Sequence, residues 1–266
     1  MVHDTQGMPH VVSPEEVERI IWAYSEEWEG KRERALDLGE ALVRVAPPII
    51  NKVTHLALDP TRVDERLDIL IARVAADAGR CVWMIGPGTR PAALNARLLA
   101  RGFTVVMELD GLVLNDLTRE PVRNPDVVVE PLSWENAADY AARCTDATAA
   151  GIHDYLLASA HRYLQAPSHA VHIFVARLDQ EVAGYAVLRI EPHGVAYFAG
   201  GLTVKGFRRR GVYLSMVAHR LAVARATGCT AAIIGAQTAT SAPILIKRGF
   251  KPVCRFVGLV PPRKTT

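Results

Sequence analysis

After Glu191 this chain has no carboxylate side chain. The last 75 residues hold twelve Lys and Arg and not one Asp or Glu. A carboxylate base for chemistry in that stretch must come from elsewhere, and the one-signed field suits a polyanionic partner. Aromatic residues are few, at 6%. They do not interleave with the basic residues and no recognition-helix pattern appears, so a polyphosphate small molecule is favoured over a nucleic acid. No apolar run approaches the length of a membrane span. Residues Met1 to His10 lack a charged-then-apolar leader pattern, so the expectation is a cytoplasmic protein with no membrane partner. Cys81, Cys144, Cys229 and Cys254 lie far apart with no metal-type spacing, which fits reduced thiols and no metal site.

What is present is a globular composition, 50% apolar and 22% charged over 266 residues, enough for one large domain or two ordinary ones. Charge divides unevenly. Residues 1–121 carry 14 Lys/Arg against 19 Asp/Glu, and residues 122–266 carry 17 against 9. The most pointed stretch is Gly200-Gly201-Leu202-Thr203-Val204-Lys205-Gly206-Phe207-Arg208-Arg209-Arg210-Gly211-Val212-Tyr213. An apolar strand enters a turn with three arginines and a glycine, and an Ala/Leu/Val/Met helix follows. A helix N-terminus carries unpaired N–H groups and the positive end of a dipole, a natural seat for phosphate. A surface turn with solvated arginines has the same composition.

Ser13-Pro14-Glu15-Glu16 reads as a helix start, with Val17, Ile20, Ile21, Tyr24 and Trp28 on one face. Strands are expected at 41–46, 49–58, 81–85 and 104–114, with helices at 63–78 and from Pro91 to about Arg101. A linker is expected over 115–126. Beyond it come a strand at 127–129, helices from Ser133 to about Cys144 and from Gly151 to Leu164, and a hairpin of 171–178 with 182–190. A strand at 195–204, the helix to Ala226, a strand at 231–234, a short helix at 243–248 and a strand at 252–260 complete the series.

The two parts echo one another. Arg101-Gly102-Phe103 is followed by Val106, Gly111, Leu112 and Val113, and Arg248-Gly249-Phe250 by Val253, Gly258, Leu259 and Val260 at the same spacings. Ile85-Gly86-Pro87-Gly88-Thr89 likewise has its counterpart in Ile234-Gly235-Ala236-Gln237-Thr238. The ordered series argues for internal duplication, with domains at 1–121 and 122–266. Where the second copy has its arginine turn, the first has Asp59-Pro60-Thr61-Arg62-Val63-Asp64-Glu65, a poor phosphate seat.

Val204 through Tyr213 resembles motif A of the GNAT superfamily of acyl-CoA-dependent N-acyltransferases, whose core is Gln/Arg-x-x-Gly-x-Gly/Ala. Arg208 and Gly211 fit, and Tyr213 departs at the last position. The resemblance covers residues 127–260, with the first part similar to a degenerate copy. It implies an α/β fold with a mixed sheet, two GNAT-like folds in tandem, one sheet in each with helices on both faces. It also implies an enzyme that moves an acetyl group from acetyl-CoA to a primary amine on a small molecule or peptide, by direct transfer. The pantetheine arm is expected between two splayed strands, pairing with Leu202, Thr203 and Val204, with Gly200-Gly201 as the bulge that opens them. The pyrophosphate is expected on the N–H groups of Arg210, Gly211, Val212 and Tyr213 with Arg209 nearby, and Ser241 and Ile244 flank the arm.

The resemblance places the general acid, ordinarily a tyrosine, at Leu245, so that acid is absent. Candidate bases are Glu191 and, among five histidines between 153 and 193, His153; solvent is a third route for the amine proton. Loss of the tyrosine motivates a non-catalytic alternative, a CoA-binding sensor or interaction module. The acid-free tail motivates a nucleic-acid-binding one.

Overall fold

The computed structural model describes residues 12–23, 34–45, 51–119, 121–143 and 152–263. The expected continuation of the first helix through Tyr24 and Trp28, the strand start at Ile49, the helix end at Cys144 and the helix start at Gly151 lie outside the described residues. The first helix, α1, is Pro14–Trp22; the strands and helices that follow are β1 (Arg34–Asp37), β2 (Leu42–Val45), β3 (Lys52–Thr54), α2 (Val63–Ala78), β4 (Val82–Ile85), α3 (Leu94–Ala100) and β5 (Thr104–Leu114). Then come β6 (Val128–Pro131), α4 (Ala137–Arg143), α5 (Ile152–Gln165), β7 (Val171–Leu178), β8 (Glu181–Glu191), β9 (Val195–Tyr197) and β10 (Gly201–Thr203). The chain finishes with α6 (Val212–Ala226), β11 (Ala231–Gln237), α7 (Ser241–Ile246) and β12 (Lys251–Val260).

One sheet in each part was the expectation, but the described strands form a single twelve-stranded sheet in the order β1-β2-β3-β4-β12-β5-β11-β9-β8-β7-β6, with β10 beside β8. The cause is an exchange of terminal strands. β5, the last strand of residues 1–121, pairs antiparallel with β11, while β12, the last strand of the chain, pairs antiparallel with β4. The two exchanged strands also pair with each other, Leu109 opposite Phe256. Those two residues stand 147 positions apart, the same offset as Arg101 and Arg248. Residues at the offset of the sequence echo thus pair opposite one another at this point of the sheet.

Alternation along the strands sorts the side chains into two layers. Phe174 and Leu188 join Val217 and Leu221 of α6 and Leu245 of α7 on one face. Val175 and Val187 join Tyr140 of α4 and Ala160 of α5 on the other. In the first part, Leu67, Leu70 and Val74 of α2 pack on Val53 and Trp83. α1 lies over the exchanged strands, with Val17 and Ile20 against Val113, Ile233 and Phe256. Its start is capped as the sequence suggests, Ser13 accepting from the Glu16 N–H at 3.1 Å. Its end is closed from a distance: Arg189 on β8 donates to the carbonyls of Ile20 (2.8 Å) and Ala23 (3.1 Å). A cation at the carbonyl end suits the helix dipole.

Two expected strands are shorter than their apolar runs. The run to Leu58 is cut after Thr54, where His55 takes φ +55°, and the run from Val195 to Val204 is cut before Gly201, where Gly200 takes φ +52°. Both breaks fall just past a parallel pairing, β3 with β4 and β9 with β11. A left-handed residue turns the chain out of the ladder.

Because each part supplies a strand that the other needs, a fragment comprising residues 122–266 alone should not melt cooperatively. Circular dichroism of that fragment and of its equimolar mixture with 1–121 tests this; a sharp melt of the lone fragment would contradict the exchange.

Candidate functional site

The site begins where β9 and β11 part. They run parallel through Val195–Tyr197 and Ala231–Ile233, and the Phe198 N–H still reaches the Ile233 carbonyl at 2.8 Å. Beyond that point β11 continues to Gln237 against β5, whereas β10 stays with β8. Between the Tyr197–Arg189 and Gly201–Ala186 pairs, β8 advances three residues and the opposing chain four. The extra residue is a β-bulge, and it carries β10 away from β11.

Alternation decides which backbone groups of β10 face the gap. The Val204 N–H is bonded to the Ala183 carbonyl (2.9 Å), and the Val204 carbonyl accepts from Phe207 (2.9 Å). Both backbone groups of Val204 are thus engaged within the chain, the carbonyl keeping one further lone pair. Leu202 points its polar groups the same way, toward β8. Gly201 and Thr203 turn their backbone groups away from β8 toward the gap, and the Thr203 carbonyl receives Nε of Arg208 at 3.4 Å. Its hydroxyl is buried without a hydrogen-bond partner.

A 3-10 turn over Lys205–Phe207 follows, then Arg209 at φ +63° and Gly211 at φ +81°. Gly211 occupies the N-cap of α6 with no side-chain hydrogen bond to the helix. The first N–H groups of α6 are thus left without a cap, and a basic turn surrounds them. The arginines are not equivalent. Arg210 is paired with Asp179 at the β7–β8 hairpin tip (2.7 Å) and lies over the Phe207 ring. Arg209 is exposed and makes no ion pair among the described residues.

Sequence reasoning missed Asn124. It sits in the expected linker, donates Nδ2 to the Arg210 carbonyl (2.8 Å) and takes the Ser215 hydroxyl on its N–H (3.0 Å). A Cβ on Gly211 would stand 2.8 Å from the Asn124 Cβ. Close packing against Asn124 is therefore a second reason for glycine, besides the left-handed backbone. Only the Asn-Pro turn pattern hinted at order there, and nothing in it pointed to Gly211.

Two other candidates come together. Tyr213, in the first turn of α6, lies near Ser241, which opens α7; burial pushes the phenol up, opposed by Arg220 and Ser241. Ile244 is partly exposed on α7, and Leu245 is fully buried in the apolar layer. The candidate bases lie elsewhere. Glu191 pairs in register with Val195, at the closed end of the splay, and is held in a buried ion pair by Arg189. His153 is exposed on α5 with Asp154 at 3.2 Å. No group of three His, Cys, Asp or Glu that could hold a metal occurs among the described residues, and none of their helices is long and apolar enough to cross a membrane.

In the first part the equivalent gap is filled by the chain itself. Arg90 donates its N–H to the Leu56 carbonyl (2.8 Å) and accepts from the Leu58 N–H (3.0 Å). Gly88 in the same turn donates to the buried Glu18 carboxylate, whose pKa burial raises.

The substitution Gly211→Ala, which adds a Cβ at a left-handed position against Asn124, should cost about 1–2 kcal/mol of stability. Urea unfolding of the ligand-free protein measures it, and an unchanged midpoint would mean that the turn relaxes freely.

Residues 134–250 match the model of the Acetyltransferase (GNAT) family. No curated protein matches the sequence. Among solved structures, a GCN5-related N-acetyltransferase from Kribbella flavida is 20% identical, covering 93% of this chain and 96% of its own, with a TM-score of 0.62. One from Sphaerobacter thermophilus is 15% identical over 88% of this chain and 83% of its own, at a TM-score of 0.58. A tandem GNAT protein from the clavulanic acid biosynthesis pathway is 14% identical over 83% of this chain and 78% of its own, at 0.56. At these identities the structures speak for the fold. The splayed strands and the uncapped basic turn lie inside the segment that matches the GNAT family model, in a mixed α/β sheet that the solved structures share as a fold.

Proposed function

We propose that the chain is an acyltransferase that takes an acetyl group from acetyl-CoA and delivers it to a primary amine by direct transfer. The observation that carries this reading is the gap between β10 and β11 running into the uncapped start of α6. Extended ligands add to exposed strand edges through main-chain hydrogen bonds, and anions sit on helix N-termini. On this reading the pyrophosphate lies on the N–H groups of Gly211, Val212 and Tyr213 with Arg209 beside it, the arm follows Thr203, and Ser241 and Ile244 border it. The amine attacks the thioester carbon, the carbon–sulfur bond breaks with its electron pair on sulfur, and the amine proton leaves to solvent. Glu191, engaged by Arg189, and His153, exposed on α5, are given no direct contact with the amine.

Residues 1–121 are read as a second, degenerate copy of the same fold without a cofactor. The matched repeat offset at Leu109 and Phe256 and the self-filled gap at Leu56–Leu58 support one donor site per chain. A non-catalytic CoA sensor is the second reading, favoured by the fully buried Leu245 where an acid is expected.

Calorimetric titration with acetyl-CoA at physiological salt tests the donor site, and absence of saturable binding would overturn it. Arg209→Ala should weaken binding several-fold while leaving the melting temperature unchanged, because Arg209 is exposed and makes no ion pair among the described residues. Thiol release with a panel of amines separates enzyme from sensor: turnover with any amine excludes the sensor.

A further inference from the structure

Arg220 stands apart from the other arginines among the described residues. Its side chain is 1% exposed, yet no carboxylate pairs with it among the described residues. It reaches from α6 to the inner side of the bulge, where Nη1 donates to the carbonyls of Val187 (3.3 Å) and Gly200 (3.4 Å). Nε returns to the Met216 carbonyl at 3.3 Å, and the guanidinium lies 4.4 Å from the centre of the Phe198 ring. Nη2 has no hydrogen-bond partner, and it stands 3.8 Å from where a Cβ on Gly201 would be. Burial lowers its pKa to about 10, a fall that Tyr213 opposes, so it is charged at neutral pH. Tyr213 is the titratable group that faces it from the same helix face; His219, its neighbour in sequence, is pushed down by burial and by Arg123 and Arg220.

A buried cation without a counterion is costly. Uncharged carbonyls and an aromatic face offset that cost in part. A second orphan, the Thr203 hydroxyl, is buried two residues along the chain from Gly201. Both orphans border the place where the strands separate.

We propose that Arg220 is a positioning and charge-supplying residue for acyl transfer, pinning the bulge through Gly200 and stabilising the negative charge that gathers on the CoA sulfur as the carbon–sulfur bond breaks. This rests on the donor reading above, in which the phosphates sit at the Gly211 turn and the arm runs back along β10 with its thiol end at Gly200–Gly201. In that arrangement no tyrosine is needed at position 245 to protonate sulfur during bond cleavage. The thiolate departs as an anion held by a fixed positive charge, and takes its proton from solvent on release.

The test needs no acceptor amine. The pKa of the thiol of protein-bound CoA is read from its ultraviolet thiolate absorbance, with desulfo-CoA as blank, for the wild type, Arg220→Met and Arg220→Lys. The expected result is a bound thiol at least about one unit below free CoA in the wild type. The shift should be abolished in Arg220→Met and largely kept in Arg220→Lys, with CoA affinity below the thiol pKa changed less than about twofold. A purely structural role would not separate the two variants by charge. CoA binding with a thiol pKa equal to that of free CoA in the wild type overturns the inference, and needs no variant to fold. An equal shift in wild type and Arg220→Met overturns it as well. Absence of CoA binding to the wild type overturns the donor reading together with this one.

Discussion

The pairing of β5 with β12 is the constraint on which the rest of the molecule depends. Each strand closes an edge that the other half of the chain leaves open, and together they form the middle of one sheet. An unpaired strand edge is a liability, and exchange removes two at once. It also gives α1 its seat, because the apolar surface beneath that helix is made from both halves. Through α1 the constraint reaches Arg189, which leaves β8 to close the helix end.

At the candidate site, geometry comes from the backbone more than from side chains. One extra residue opposite β8 separates β10 from β11, a left-handed glycine ends the turn, and an uncapped helix follows. The side chains mostly brace these features. Asn124 holds the turn from behind, and Asp179 takes Arg210 away from it. Arg220 holds the bulge from below.

Much of this was legible in the sequence, for physical reasons that can be named. Residues 63–78 have a strong apolar period ended by Gly79, and the helix forms over those limits. Residues 104–114 form a strand over the expected limits. The hairpin around Asp179-Gln180 was visible too, and both residues take positive φ as a tight turn demands. What stayed hidden was non-local. Nothing in residues 104–114 says that their partners are 231–237 and 251–260 rather than strands of their own half, since a strand's pattern fixes its faces and not its neighbours. Asn124 and Arg220 escaped for a similar reason. A polar residue in a turn and an arginine in a helix look solvated until the fold brings Gly211 to one and the bulge to the other.

The filled gap of the first part has a thermodynamic consequence. Its edge bonds, from Arg90 to Leu56 and Leu58, are intramolecular, so they contribute the same stability at any ligand concentration. The edge at Thr203 meets only the Arg208 side chain among the described residues, and a ligand added there would act by mass action, stabilising the native state by RT ln(1 + [L]/Kd). Only one half carries the open edge, yet exchanged strands make the halves unfold together. On the proposed donor reading, a ligand held by the second half would protect residues of the first that it never touches, and the chain's resistance to unfolding would follow the supply of that ligand.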